Sequence, residues 1–188
     1  MRTSLVLPFL LACACASPTS GSRSSAAAAS AISAAPGPAA TARIEPRSGS
    51  NLSGSATFAA IQDGLGIHVE LQDAAPGLHG VHLHEKGSCD GPDAASAGAH
   101  YDPDGGAHHG GPSTRVRHAG DLGNIQVGSN GRGTLDVVVP DLSVNSLQNG
   151  VVGRAIVVHA KADDLQTDPT GNSDARLGCG VIMAPSLQ

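Results

Sequence analysis

The chain reads as an all-β protein, and three observations say so. Glycine (25) and proline (12) take about a fifth of the 188 residues, a density of turn formers that argues against a helical bundle. Between them lie eight short runs of β pattern, with apolar and polar side chains alternating as in a strand buried on one face. Valine, isoleucine and leucine supply most of the bulk, and glycine or Asn-Gly pairs (Asn130-Gly131, Asn149-Gly150) punctuate the runs.

Taken in order, the first run is 42–46, a short edge strand, followed by 54–61. In 67–72, Ile67, Val69 and Leu71 fall on one face and His68, Glu70 and Gln72 on the other. Runs 78–84, 122–127, 133–139, 152–159 and 179–183 complete the set. Two gaps, 85–121 and 160–178, are much longer than a turn. Insertions of that length in a compact domain are commonly functional loops.

The residues before the first run are an address and a tether. Arg2 precedes an apolar stretch from Leu5 to Ala12, too short to span a bilayer and suited to an export signal. It ends in Leu10-Leu11-Ala12-Cys13, which resembles the bacterial lipoprotein box and so implies a lipid on Cys13. The other reading is an ordinary signal peptide cut near Ala16. Both export the protein, and the first holds it at the periplasm or cell surface by its lipid alone. Residues 13–41 are rich in Ala, Ser, Pro and Gly and lack the apolar mass to pack. The expected organisation is a signal at 1–12, a flexible tether at 13–41 and a folded domain at 42–188.

Charge and aromatic content exclude one class of partner. The net charge is −5, and because Arg2 and Arg23 precede the domain, the domain holds nine basic against sixteen acidic residues, or −7. No basic footprint exists for a polyanion. Phe9, Phe58 and Tyr101 are the only aromatics, and there is no Trp, so stacking platforms are missing as well. Nucleic acid is not an expected partner.

The nine histidines point to metal. His82 and His84 sit at i and i+2 of a strand and share a face, and His159 closes the apolar run Ala155-Ile156-Val157-Val158. Imidazoles alone suit copper or zinc. The long loop carries His100, His109, His118 and Asp121, a complete tetrahedral zinc set. That loop is dense in Gly and Asp, and an ion would explain how it stays ordered.

These residues stand in motifs. Gly80-Val-His-Leu-His-Glu-Lys-Gly-Ser-Cys89, Ala99-His100-Tyr-Asp-Pro103, His109-Gly-Gly-Pro112, Arg117-His118-Ala-Gly-Asp121-Leu-Gly-Asn124, Gly153-Arg-Ala155 and Gly171-Asn172…Arg176-Leu-Gly-Cys179-Gly-Val-Ile182 resemble the copper/zinc superoxide dismutase family, from about residue 42 to 183. The resemblance implies an eight-stranded antiparallel Greek-key barrel or sandwich with two long functional loops. It implies disproportionation of superoxide to dioxygen and hydrogen peroxide by copper redox cycling. It assigns His82, His84, His100 and His159 to copper, and His100, His109, His118 and Asp121 to zinc, with His100 bridging. Cys89 and Cys179 match the family's disulfide. Asp163 matches a carboxylate that orients one copper and one zinc histidine, here His82 and His109. Arg176 matches a cation beside copper that holds the anionic substrate, and His100 also handles a proton.

Departures bear on steering and assembly. The segment 164–176 is short beside eukaryotic members and lacks their acid–lysine cluster, though Lys161 and Arg176 remain. The loop between Cys89 and His100 lacks the insertion usual in bacterial members, and subunit contacts that would make a homodimer involve that loop. His79 matches a position that braces the barrel by hydrogen bonding, His68 looks outward from its strand, and His108 faces solvent. An envelope metal-binding or structural module without turnover would have lost copper ligands or Arg176. All are present.

Overall fold

The computed structural model describes residues 39–185. The expected signal at 1–12, Cys13 and the tether to residue 38 lie outside the described residues. Eight strands follow: β1 (Ala39–Pro46), β2 (Ser53–Ile61), β3 (Gly64–Gln72), β4 (Gly77–His84), β5 (Asp121–Val127), β6 (Gly133–Val139), β7 (Ala155–His159) and β8 (Arg176–Val181). They close into a barrel in the order β1-β2-β3-β6-β5-β4-β7-β8, with every pairing antiparallel. The crossovers β3 to β4 and β6 to β7 make it a Greek key.

Four strands differ from expectation by three residues at one end; the run 67–72 starts earlier, at Gly64, because Gly64, Leu65 and Gly66 pair with Ile61, Ala60 and Ala59 of β2. The run 42–46 is not an edge strand: β1 starts at Ala39, pairs with β2 from Ala39–Ala59 to Ile44–Gly54, and meets β8 at Glu45–Cys179 and Pro46–Gly178. The fold thus extends three residues into the expected tether. Ala40 and Ala42 are buried there, and methyl groups carry that burial without a bulky apolar signature. The run 152–159 shortens to β7 because Gly153 turns the backbone at φ +79 and the Val152 N–H bonds to Val144 in the preceding loop. The run 179–183 becomes Arg176–Val181, since Arg176 pairs with His159 and Gly178 with Val158. The second long loop therefore spans 160–175.

Inward-facing residues fill the barrel. Phe58, Ile44, Leu52, Leu65, Ile67, Leu83, Leu122, Ile125, Ile156 and Ile182 are fully buried, and each such side chain contributes about 1.5–3 kcal/mol of transfer free energy. On β4 the six residues from His79 to His84 are all buried. Val81 and Leu83 enter the core, while His82 and His84 alternate to the opposite face, where the two long loops cover them. The Cys89–Cys179 disulfide, across 90 residues, ties the first loop to β8.

Candidate metal centre

Backbone contacts between the barrel and the loops assemble the histidines. The Tyr101 N–H donates to Leu83 O, the Leu83 N–H to Gly120 O and the Gly120 N–H to Tyr101 O. His100 is thereby laid beside β4, where it forms an isolated bridge with His84. Asp121, the first residue of β5, pairs with His82 after a bulge between Gly80 and His82. His159 ends β7, whose Val157 also pairs with His82.

Two groups of donors result. One ligand atom from each of His82, His84, His100 and His159 lies within 4.8 Å of the others, and the same holds for His82, His100, His109 and Asp121. All six residues are buried. His118 lies at the rim of the second group, its Nδ1 3.3 Å from the Asp121 carboxylate. Of the expected ligands, the two groups contain all but His118, and His82 as well as His100 belongs to both.

The hydrogen bonding of these rings is one-sided. His82 Nε2 bonds to Asp163 Oδ2 at 2.9 Å, His84 Nδ1 to Gly98 O at 2.9 Å and His100 Nδ1 to Asp121 Oδ1 at 2.8 Å. His109 Nε2 bonds to Asp163 Oδ1 at 2.8 Å and His159 Nδ1 to Asp174 O at 3.0 Å. The opposite nitrogens, His82 Nδ1, His84 Nε2, His100 Nε2, His109 Nδ1 and His159 Nε2, are buried without any hydrogen-bond partner. Leaving a buried polar atom unpaired costs about 1–3 kcal/mol, so five in one place are a signature of ligands with their outer nitrogens already oriented. The donor set fits copper and zinc.

Burial also sets the protonation states. It pushes the His82 and His84 imidazoles well below their ordinary value, aided by neighbouring histidine charge. His100 is lowered for the same leading reason, and His159 falls to about 4. These rings are neutral near pH 7 and offer lone pairs. Burial pushes the Asp121 carboxyl up, but the His100 hydrogen bond and its other neighbours outweigh that and hold it below its ordinary value, an anion.

Arg176 stands at the start of β8, half buried, and donates to Ala94 O and Gly98 O, both at 2.7 Å. Gly98 O thus receives both Arg176 and His84, which sets the guanidinium beside a copper-type ligand. Lys161 is paired with Asp174 at 2.9 Å, so it is less free to attract an anion than its sequence position suggests. His79 bonds to His159 O and Ala75 O, each at 2.8 Å, as a brace beneath the site. His68 bonds to Asp136 on the outer face of β3, and His108 is exposed but bonded to Asp168.

Sequence reasoning missed several contributors. The carbonyls of Gly98, Ala94 and Asp174 carry no side-chain signal. Asn124 brackets Asp163, donating to its O at 2.9 Å and accepting from its N–H at 2.7 Å. Its place three residues after Asp121 was the available hint. Asp168 lies in the short loop that sequence comparison marked only as reduced.

Comparison with known proteins places this arrangement. A family model described as copper/zinc superoxide dismutase (SODC) matches residues 52–182. The "Superoxide dismutase [Cu-Zn]" of Deinococcus radiodurans is 41% identical over 143 residues, covering 71% of this chain and 78% of that protein. The "Extracellular superoxide dismutase [Cu-Zn]" of Drosophila melanogaster is 41% identical over 142 residues, covering 71% and 76%. A solved structure described as "Crystal Structure Analysis of the clock protein EA4" superposes with a TM-score of 0.70 at 36% identity, covering 79% of this chain and 96% of that one.

Proposed function

That the chain belongs to the copper/zinc superoxide dismutase family is the premise from which we propose a division of labour among its residues. The protein is a superoxide dismutase with copper and zinc as cofactors. Two superoxide anions and two protons yield one dioxygen and one hydrogen peroxide.

His82 through Nδ1, with His84, His100 and His159 through Nε2, would hold copper. His100, His109 and His118 through Nδ1, with Asp121, would hold zinc. The observation that carries this division is the set of five buried ring nitrogens without partners, each opposite a nitrogen that is bound and oriented. When bound, copper supplies one-electron redox chemistry and zinc a fixed, redox-silent positive charge.

His100 is the residue common to both proposed sets; serving both would require its ring to lose both protons, which flanking cations would favour. Its Nε2 is the atom that would hold a proton between the two half-reactions and release it to the second superoxide. Asp163, fully buried, spans His82 and His109 and keeps both rings aimed. Arg176 would receive the anion, its guanidinium fixed by two carbonyls so that little ordering remains to be done. With the domain at −7 and Lys161 paired with Asp174, Arg176 is the cation to which we assign the drawing of the anion toward the ligands.

We place the mature protein outside the cytoplasm, held through a lipidated Cys13 and the tether that follows. The export-type N-terminus supports this, as does an extracellular relative. One purification tests the whole reading. Full-length protein should bind copper and zinc, remove superoxide, and carry the mass of a chain that starts at acylated Cys13. His159→Ala should lose turnover and copper while keeping zinc and its β-sheet circular dichroism. Full activity in that variant overturns the copper assignment, and a mature chain starting after Ala16 overturns the anchor.

A further inference from the structure

The loop 160–175 reaches back to the ligand segment 108–110 through one carboxylate that no role above uses. Asp168 accepts a hydrogen bond from the His109 backbone N–H on Oδ1 and another from His108 Nδ1 on Oδ2. On the far side of the same segment, the His109 ring is held by Asp163 Oδ1 at 2.8 Å and the Gly110 N–H by Asp121 Oδ2 at 3.0 Å. Three carboxylates from two separate stretches of chain therefore grip three consecutive residues.

Asp168 is itself held in place. Asp164 caps the turn before it, accepting the N–H groups of Gln166 and Thr167, the Thr167 hydroxyl and the Asn172 amide. The Gly171 N–H closes the loop on Thr167 O. The short loop is thus a closed turn with an outward carboxylate aimed at His109.

We infer that Asp168 is a positioning residue for His109, latching the loop 160–175 onto the zinc-binding loop. The reason is mechanical. The ring is held at Nε2 by Asp163 and its Nδ1 lies 3.1 Å from Asp121 Oδ1, but neither contact fixes the backbone from which the ring hangs. An anchor at the backbone N–H fixes that backbone, and with it the direction of Nδ1. The latch also joins the segment bearing Asp163 to the segment whose ligand Asp163 orients, so neither shifts alone. The inference rests on the zinc assignment made above.

The test uses the full chain loaded with copper and zinc, with Asp168→Ala, Asp168→Asn and His108→Ala as variants. Two quantities are read: the rate at which zinc passes to a colorimetric chelator, and the visible spectrum of cobalt(II) placed in the zinc position. Asp168→Ala should release zinc about 10-fold faster, within the range for lost orienting partners of ligands, and should shift the cobalt spectrum. Asp168→Asn, which keeps one acceptor, should fall between. His108→Ala should stay close to the parent, because the His109 N–H bond survives. The metal-free melting temperature should barely move in any of them. Parental zinc release with an unchanged cobalt spectrum in Asp168→Ala overturns the latch. So does a fall in metal-free stability large enough to account for the faster release. A parent chain that takes up no zinc refutes instead the assignment beneath it, which metal analysis sees directly.

Discussion

Gly171→Ala should damage the metal centre although residue 171 is not itself a candidate ligand. Gly171 sits at φ +62, and a Cβ built on it would lie 2.0 Å from Asp163 Oδ1 and 2.5 Å from His109 Nε2. Gly171→Ala therefore carries two costs. Holding an L-residue in the left-handed region costs about 1–2 kcal/mol. The methyl group also occupies the space of the 2.8 Å Asp163–His109 hydrogen bond, so the carboxylate must withdraw, and losing one such charge-assisted bond costs about 1.5–3 kcal/mol. Gly49→Ala separates the two, since Gly49 has φ +73 but nothing within 4 Å of its built Cβ. At this size about 3 °C of melting temperature corresponds to 1 kcal/mol. Gly49→Ala should then melt about 3–6 °C below the parent and Gly171→Ala about 8–15 °C below. Zinc and copper retention should fall about 10–100-fold in Gly171→Ala alone. Melting curves with and without metal, plus chelator competition, read all of this. Equal losses in the two variants, with metal affinity unchanged, would refute the steric reasoning.

Two further outcomes are expected. Arg176→Glu should slow dismutation more at low than at physiological ionic strength, because the screening length shrinks from about 30 Å at 0.01 M to about 8 Å at 0.15 M; an equal loss at both would remove the guidance role. The metal-free protein should lose stability as pH falls from 7 to 5. His82, His84, His100 and His159 are depressed chiefly by burial, His159 to about 4. The unfolded chain therefore binds more protons in this window, and stability is full above about pH 6.5 and shrinks below it. His68, raised by Asp136 against a smaller effect of burial, acts in the opposite sense, but it is a single exposed group and should not reverse the trend. A flat melting temperature across that range would count against the buried, neutral state of these rings.

How much of this was readable in the chain depends on what carried each feature. The candidate ligands were legible because coordination demands a side-chain type at a particular spacing: His82 and His84 share a strand face, and Asp121 follows His118 by three residues. Strand ends were less legible, because hydrogen-bond pairing rather than side-chain character decides them. Ala39 and Ala40 join β1 through their bonds to β2, yet in sequence they look like the tether before them. The orientation of the rings was half legible. Asp163 could be matched as a side chain, but His84 and His159 are aimed by the carbonyls of Gly98 and Asp174, and Arg176 by those of Ala94 and Gly98. A carbonyl belongs to the backbone path, and every residue type supplies the same one. Replacing the Asp174 side chain would leave its carbonyl oxygen present, so side-chain scanning underreports it, whereas any Cβ at Gly98 (φ +79) would lie 2.4 Å from Glu85 Oε1 and disturb the path as well. What can move these carbonyls is a change in the path itself: for Asp174 that path is the loop 160–175, shaped by Asp164, Asp168 and Gly171, and for Ala94 and Gly98 it is the first loop, where the Glu85 and Lys86 N–H groups bond to Ala99 O and Ala97 O. The shortened loop is therefore better read as a rigid support for the metal centre than as a remnant of a longer guiding loop.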